Sequence, residues 1–90
     1  MTNAIVLLNV DANETHRIAE SVASIKGVSE VYSVAGTYDL VAIIRVSNNE
    51  DLAEIVTARI RGVNGIRGSQ TLIAFRTYSQ YDLVSMFDLD

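Results

Sequence analysis

Two short stretches of the 90-residue chain carry residue types suited to holding a small polar molecule: Gly36-Thr37-Tyr38-Asp39 and Ser69-Gln70-Thr71. A free α-amino acid needs N–H donors for its carboxylate and a carboxylate or carbonyls for its ammonium. Gly36 tolerates positive φ and lets backbone amides approach closely, Asp39 supplies a negative group, and Ser69 and Thr71 supply small hydroxyls. The same Gly36–Asp39 residues also suit an ordinary strand-to-strand turn in which Asp39 merely accepts from nearby backbone amides. The remaining inventory is thin. His16 is the only histidine and stands among polar residues on the wet side of a helix. There is no cysteine, no HxH or HExxH pair and no G-x-S-x-G. Gly62, Gly65 and Gly68 lack dinucleotide spacing and follow a helix, as a helix stop and loop do. Arg59, Arg61 and Arg67 are cations for a helix end or an anion. No catalytic residue, metal site or cofactor is assigned.

The elements that must position these residues follow from hydrophobic periodicity. Ile5–Val10 alternates with apolar residues on both faces, as a strand covered on both sides does. Asp11-Ala12-Asn13 is a turn, with Asp11 or Asn13 as a helix cap. Ile18, Val22 and Ile25 then recur at helical spacing over Glu14–Lys26, and Gly27 is the stop. Val28–Ala35 is a less apolar, edge-like strand, and Leu40–Val46 is apolar on both faces apart from Arg45. Ser47 or Asn48 caps a second helix, with Leu52, Ile55, Val56 and Ile60 on its apolar stripe, ended by Gly62-Val63-Asn64-Gly65. A fourth strand runs over Ser69–Arg76.

The order β-α-β-β-α-β predicts an α+β, ferredoxin-like fold: a four-stranded antiparallel sheet, strand order 4-1-3-2, with two helices on one face. In that order the Gly36 turn and the start of the fourth strand are expected at different places in one subunit, meeting only across an oligomer contact. Asp39 is expected at a sheet end, outside the core.

The chain is 49% apolar, more than a thin two-layer core of this size hides. The second sheet face therefore calls for a cover, most simply a second copy packed sheet to sheet. Net charge is −4 with a pI near 4.7, which argues against direct nucleic-acid binding. The run Ile5–Leu8 is too short for a signal peptide or a membrane span, so a cytoplasmic protein is expected. Residues 1–76 form the domain. The tail 77–90, with Tyr78, Tyr81, Leu83, Val84, Met86, Phe87 and Leu89, is too apolar to stay solvated and is expected to pack on its own or a neighbouring subunit, with one helical turn from Asp82.

The pattern Gly27-Val28-x-x-Val31-Tyr32-x-Val34-x-Gly36-x-Tyr38-Asp39-Leu40, followed by a helix and Gly65-Ile66-x-x-Ser69-x-Thr71, resembles the RAM (regulation of amino acid metabolism) domain of the Lrp/AsnC transcription regulators over residues 4–76. Gly65-Ile66 stands where the family has a second Gly-Val, and Ser69 where it has a Thr-type residue. The resemblance implies a sheet-to-sheet dimer, assembly of four dimers into an octamer, and an amino-acid effector held between dimers. By position it implies a ligand site of Gly36, Thr37, Tyr38, Asp39, Ser69 and Thr71, half from each of two subunits. Full-length members carry an N-terminal helix-turn-helix domain, so the chain reads as a stand-alone regulatory module with a free amino acid as ligand. Full-length relatives are further partners. The rival reading is a cofactor-free monooxygenase or isomerase of ferredoxin-like fold using His16, Tyr32 and Tyr38.

Overall fold

The computed structural model describes residues 1–80. The expected helical turn from Asp82, and the packing of the tail beyond Gln80, lie outside the described residues. The chain forms β1 (Thr2–Val10), a 3-10 turn (Ala12–Glu14), α1 (Thr15–Ala23), β2 (Val28–Ser33), β3 (Leu40–Val46), α2 (Asn49–Glu54) continuing as a π-helical segment (Ile55–Ile60), and β4 (Ile66–Ala74). The sheet runs β2-β3-β1-β4 with every pairing antiparallel, the expected 4-1-3-2 order read from the other edge.

The core lies between the sheet and the helical layer. Ala4, Val6, Leu8 and Val10 of β1 and Leu40, Ala42 and Ile44 of β3 meet Ile18 and Val22 of α1, Leu52 of α2, and Ile55 and Ile60 of the π segment. The period-2 alternation sends the other half of these strands to the opposite face. There Leu7, Val41 and Ile43 are half-buried, while Ile5, Leu72 and Tyr32 are 36%, 43% and 50% exposed. The sheet thus has one packed face and one open apolar face.

Several expected boundaries shift. β1 starts at Thr2 rather than Ile5, because its pairing with β3 runs on to Val46. α1 ends at Ala23 rather than Lys26; the chain leaves it through hydrogen bonds from the Ile25 amide to Val22 and from the Val28 amide to Ile25, with Gly27 at φ +100. Neither Asp11 nor Asn13 caps α1; Asp11 lies 3.1 Å from Arg67 instead. β2 ends at Ser33 rather than Ala35, because its partner β3 begins opposite it at Leu40. β4 starts at Ile66 rather than Ser69, since a register shift at Asn9/Val10 lets Val10 pair with Ile66, and it ends at Ala74 rather than Arg76. The second helix starts as expected: Asn48 Oδ1 accepts from the Asp51 amide at 2.8 Å, an N-cap worth about 1 kcal/mol. Its second half is π-helical, with Ile55 and Ile60 buried and Val56 packed partly buried against the core.

Candidate functional site

The connection from β2 to β3 is anchored through Asp39. The Val34 amide donates to the Asp39 carbonyl at 3.0 Å and closes the turn. The Asp39 amide donates to the Leu8 carbonyl at 2.9 Å, and Asp39 Oδ2 accepts from the Val10 amide at 2.9 Å. The reason is geometric. β1 continues to Val10, but the β1–β3 ladder stops at Leu8 opposite Leu40, so Leu8 O and Val10 N–H face a strand that has ended. Asp39 supplies the donor with its backbone and the acceptor with its side chain, at the register shift in β1. Its carboxylate is therefore half structural, which the sequence offered as the plainer of two readings. Oδ1 takes no hydrogen bond among the described residues.

Gly36 sits at φ +136, a region that side chains rarely adopt, and a Cβ there would meet nothing within 4 Å. Glycine is required by the backbone angle, not by crowding. The amides of Ala35, Gly36, Thr37 and Tyr38 make no hydrogen bond among the described residues, and Ala35–Thr37 are exposed. Four successive free N–H groups thus immediately precede, in the chain, a residue with one free carboxylate oxygen.

The Tyr38 hydroxyl donates to Gln70 Oε1 at 2.7 Å. This bond crosses β1 within one chain and corrects the expectation that the turn and the start of the fourth strand meet only through an oligomer contact. Both lie at the same end of the sheet, one strand apart. Within that end, however, the expected residues divide between faces. Ser69 pairs with Leu8 and Thr71 with Val6, so both share the helix-covered face, whereas Gln70 pairs with Leu7 on the open face. The turn residues of one chain meet Gln70, not the Ser69 and Thr71 hydroxyls. Gln70 was missed because choosing Ser69 and Thr71 selects the opposite parity of the strand, and only the register shows which parity Tyr38 reaches. Ser69 instead borders a small cleft of about 190 Å³ with Ile60, Arg61 and Arg67.

The residues of the enzymatic reading do not converge. His16 lies on the outer side of α1, 3.0 Å from Glu20 and 90% exposed. The Tyr32 hydroxyl donates to Glu30 Oε2 at 2.6 Å on the open sheet face, and that hydrogen bond, reinforced by the Glu30 charge, raises the Tyr32 phenol above its usual value of 10.0. Tyr38 is held at the sheet end by Gln70. No helix among the described residues is long and apolar enough to cross a membrane.

Comparison with known proteins identifies the family and the fold. The family model for the Lrp/AsnC ligand binding domain matches residues 3–84. An uncharacterised HTH-type transcriptional regulator of Pyrococcus horikoshii is 37% identical over 82 residues, covering 88% of this chain and 55% of the relative. The chain spans about half the length of the curated relatives it matches. Among solved structures, the TTHA0845 protein of Thermus thermophilus superposes with a TM-score of 0.84 at 40% identity, over 89% of this chain and all of that one (100%). A feast or famine regulatory protein of Mycobacterium tuberculosis, solved in complex with L-methionine, superposes with a TM-score of 0.73 at 27% identity, over 89% of this chain and 54% of that one. The chain belongs to the Lrp/AsnC ligand-binding domain family, whose members include HTH-type transcriptional regulators.

Proposed function

We propose that the chain is an amino-acid-binding regulatory module whose ligand sits at the Gly36–Asp39 turn. The observation that carries this reading is the run of free amides from Ala35 to Tyr38 immediately before Asp39, whose Oδ1 is free. Such a set of groups suits a carboxylate through the N–H groups and an ammonium through the carboxylate oxygen. The methionine bound by the mycobacterial relative is a ligand of that chemistry. Thr37 lies in the same exposed run, and the Tyr38–Gln70 bond fixes the phenol as a wall.

The open sheet face supports a sheet-to-sheet dimer, because leaving Ile5, Leu72 and Tyr32 wet forgoes burial at roughly 25 cal/mol per Å². In this reading dimers associate further, towards an octamer, and Ser69 and Thr71 of a neighbouring dimer complete the site. Ligand binding would then shift assembly by the difference in its affinity for the assembly states. The readout on transcription would pass through relatives that carry a helix-turn-helix domain. Calorimetric titration with the twenty amino acids, paired with sedimentation, tests the proposal. Binding of at least one at sub-millimolar concentration, with a change in assembly, is expected. No heat at millimolar concentration from an intact oligomer would sink it.

A further inference from the structure

A second concavity lies at the opposite end of the sheet from the turn, and its chemistry is independent of the site proposed above. It encloses about 440 Å³ where the α1–β2 loop, the end of β3 and the α2–π helix meet. β3 separates the two places by its length from Leu40 to Val46, roughly 20 Å at the rise of a strand. The floor is apolar: Gly27, Val46 and Ile55. Gly27 is what lets this floor close, since a Cβ there would stand 2.5 Å from Ile55 Cδ1 and 2.9 Å from Val46 Cγ1.

The rim carries charge of both signs, and part of it is unspent. Arg59 lies 3.9 Å from Glu54, and Arg45 lies 3.9 Å from Glu30, so these four groups are loosely matched. Lys26 and Asp51 also line the cavity, yet neither is within ion-pair distance of the other or of any other described charged residue. The Asp51 backbone amide is used by the Asn48 cap, which holds this residue in place while its carboxylate stays uncommitted. One cavity thus presents a free ammonium, a free carboxylate and an apolar floor, with Ser47 also on its lining.

We infer that this cavity is a second binding site, for a small zwitterion whose carboxylate pairs with Lys26 and whose ammonium pairs with Asp51, with an apolar group against Val46 and Ile55. The two protein charges form no ion pair with each other, so the ligand bridges them instead of displacing an existing salt bridge. That arrangement avoids the cost of breaking a pair before binding. It selects against molecules bearing only one of the two charges, because the opposite partner would then be left facing an unmatched group.

The test is a set of amide chemical-shift titrations on the full chain, using L-methionine, its methyl ester and N-acetyl-L-methionine as probes. L-Methionine is expected to move two separate groups of amides, one around Gly36–Asp39 and one around Gly27, Val46 and Ser47. The ester and the acetylated form should move the second group at least about tenfold more weakly, as should L-methionine on Lys26→Gln or Asp51→Asn. In both variants the Gly36–Asp39 response should persist, with a melting temperature close to the parent's confirming the fold. If L-methionine moves only the Gly36–Asp39 group, the second site is overturned while the function proposed for the turn stands. If it moves only the Gly27–Ser47 group, the turn reading fails and this one holds. Equal responses to all three probes, or responses untouched in both variants, would overturn the zwitterion site.

Discussion

Replacing Asp39 separates its structural from its recognition role. In Asp39→Ala the Val10 amide loses its acceptor at the end of β1. An unmet, partly buried N–H costs about 1–3 kcal/mol; the lower half of that range applies, because this hydrogen bond is only partly buried. In a domain of this size each kcal/mol lowers Tm by roughly 4–8 °C, so a fall of about 5–15 °C is expected at fixed protomer concentration. Asp39→Asn keeps an oxygen at the same place but removes the charge, exchanging a charge-assisted bond for a neutral one of about half the strength. Its melting temperature should lie well above that of the alanine variant. In amino-acid titrations, however, the asparagine variant should lose binding at the turn, since a ligand ammonium finds no anion there. Thermal melts by circular dichroism and calorimetry on the same samples read both effects. If Asp39→Ala melts with the parent, the Val10 bond does not hold the turn. If the asparagine variant melts as low as the alanine one, charge and not acceptor geometry is what stabilises it, and the reasoning fails.

Three further substitutions probe other parts of the molecule. Ile5→Asp puts a carboxylate on the open sheet face while sparing the helix-side core, so if the proposed sheet-to-sheet dimer forms, sedimentation should show it falling to the protomer mass with its far-UV spectrum retained; a dimer mass unchanged by the substitution would rule that face out as the interface. Gly27→Ala forces a side chain onto φ +100 against Ile55 and Val46 and should cost about 1–3 kcal/mol by urea denaturation; a neutral result would mean the loop readily adopts another path. Tyr32 should titrate above 10.0 in a UV absorbance titration differenced against Tyr32→Phe, and Glu30→Gln should bring it back towards that value. Because its folded value is raised, the contribution of the Tyr32–Glu30 bond is fully present below the ordinary value of 10.0 and disappears as pH climbs through the folded value; a contribution that grew with pH would contradict the assigned cause.

Strand order and the packed face were legible because β1 over Ile5–Leu8 and β3 over Leu40–Ile44 are apolar on both sides, which places them centrally whatever the details. The helix-2 cap was legible for a local reason: Asn48 and the Asp51 amide are three residues apart. What could not be read depends on register. The bulge at Asn9/Val10 decides that Asp39 meets Val10, and the parity of β4 decides that Tyr38 finds Gln70 and not Ser69 or Thr71. Those contacts join residues 29 and 32 positions apart, and no periodicity within one segment encodes them. The Lys26–Asp51 cavity was invisible for the same reason: its charges come from separate elements, and each alone looks like an ordinary surface residue.

The π segment adds a constraint on length. Leu52 and Ile55 face the sheet with the spacing of an α-helix, but the next fully buried residue, Ile60, comes five positions on, with Val56 only partly buried against the core between them. An α-helix would present residue 59 to the core, and residue 59 is Arg. The chain here is one residue longer than the span requires, and the surplus is taken up as a widened turn that keeps Arg59 on the cavity side. Removing one residue, Thr57 or Ala58, would let Ile60 fall seven places after Leu52 and turn the segment into a plain α-helix with the same hydrophobic wall. Such a shortened chain would keep its core while the arginine took a new heading, so this stretch is where the protein's rim chemistry can be re-aimed without rebuilding the sheet.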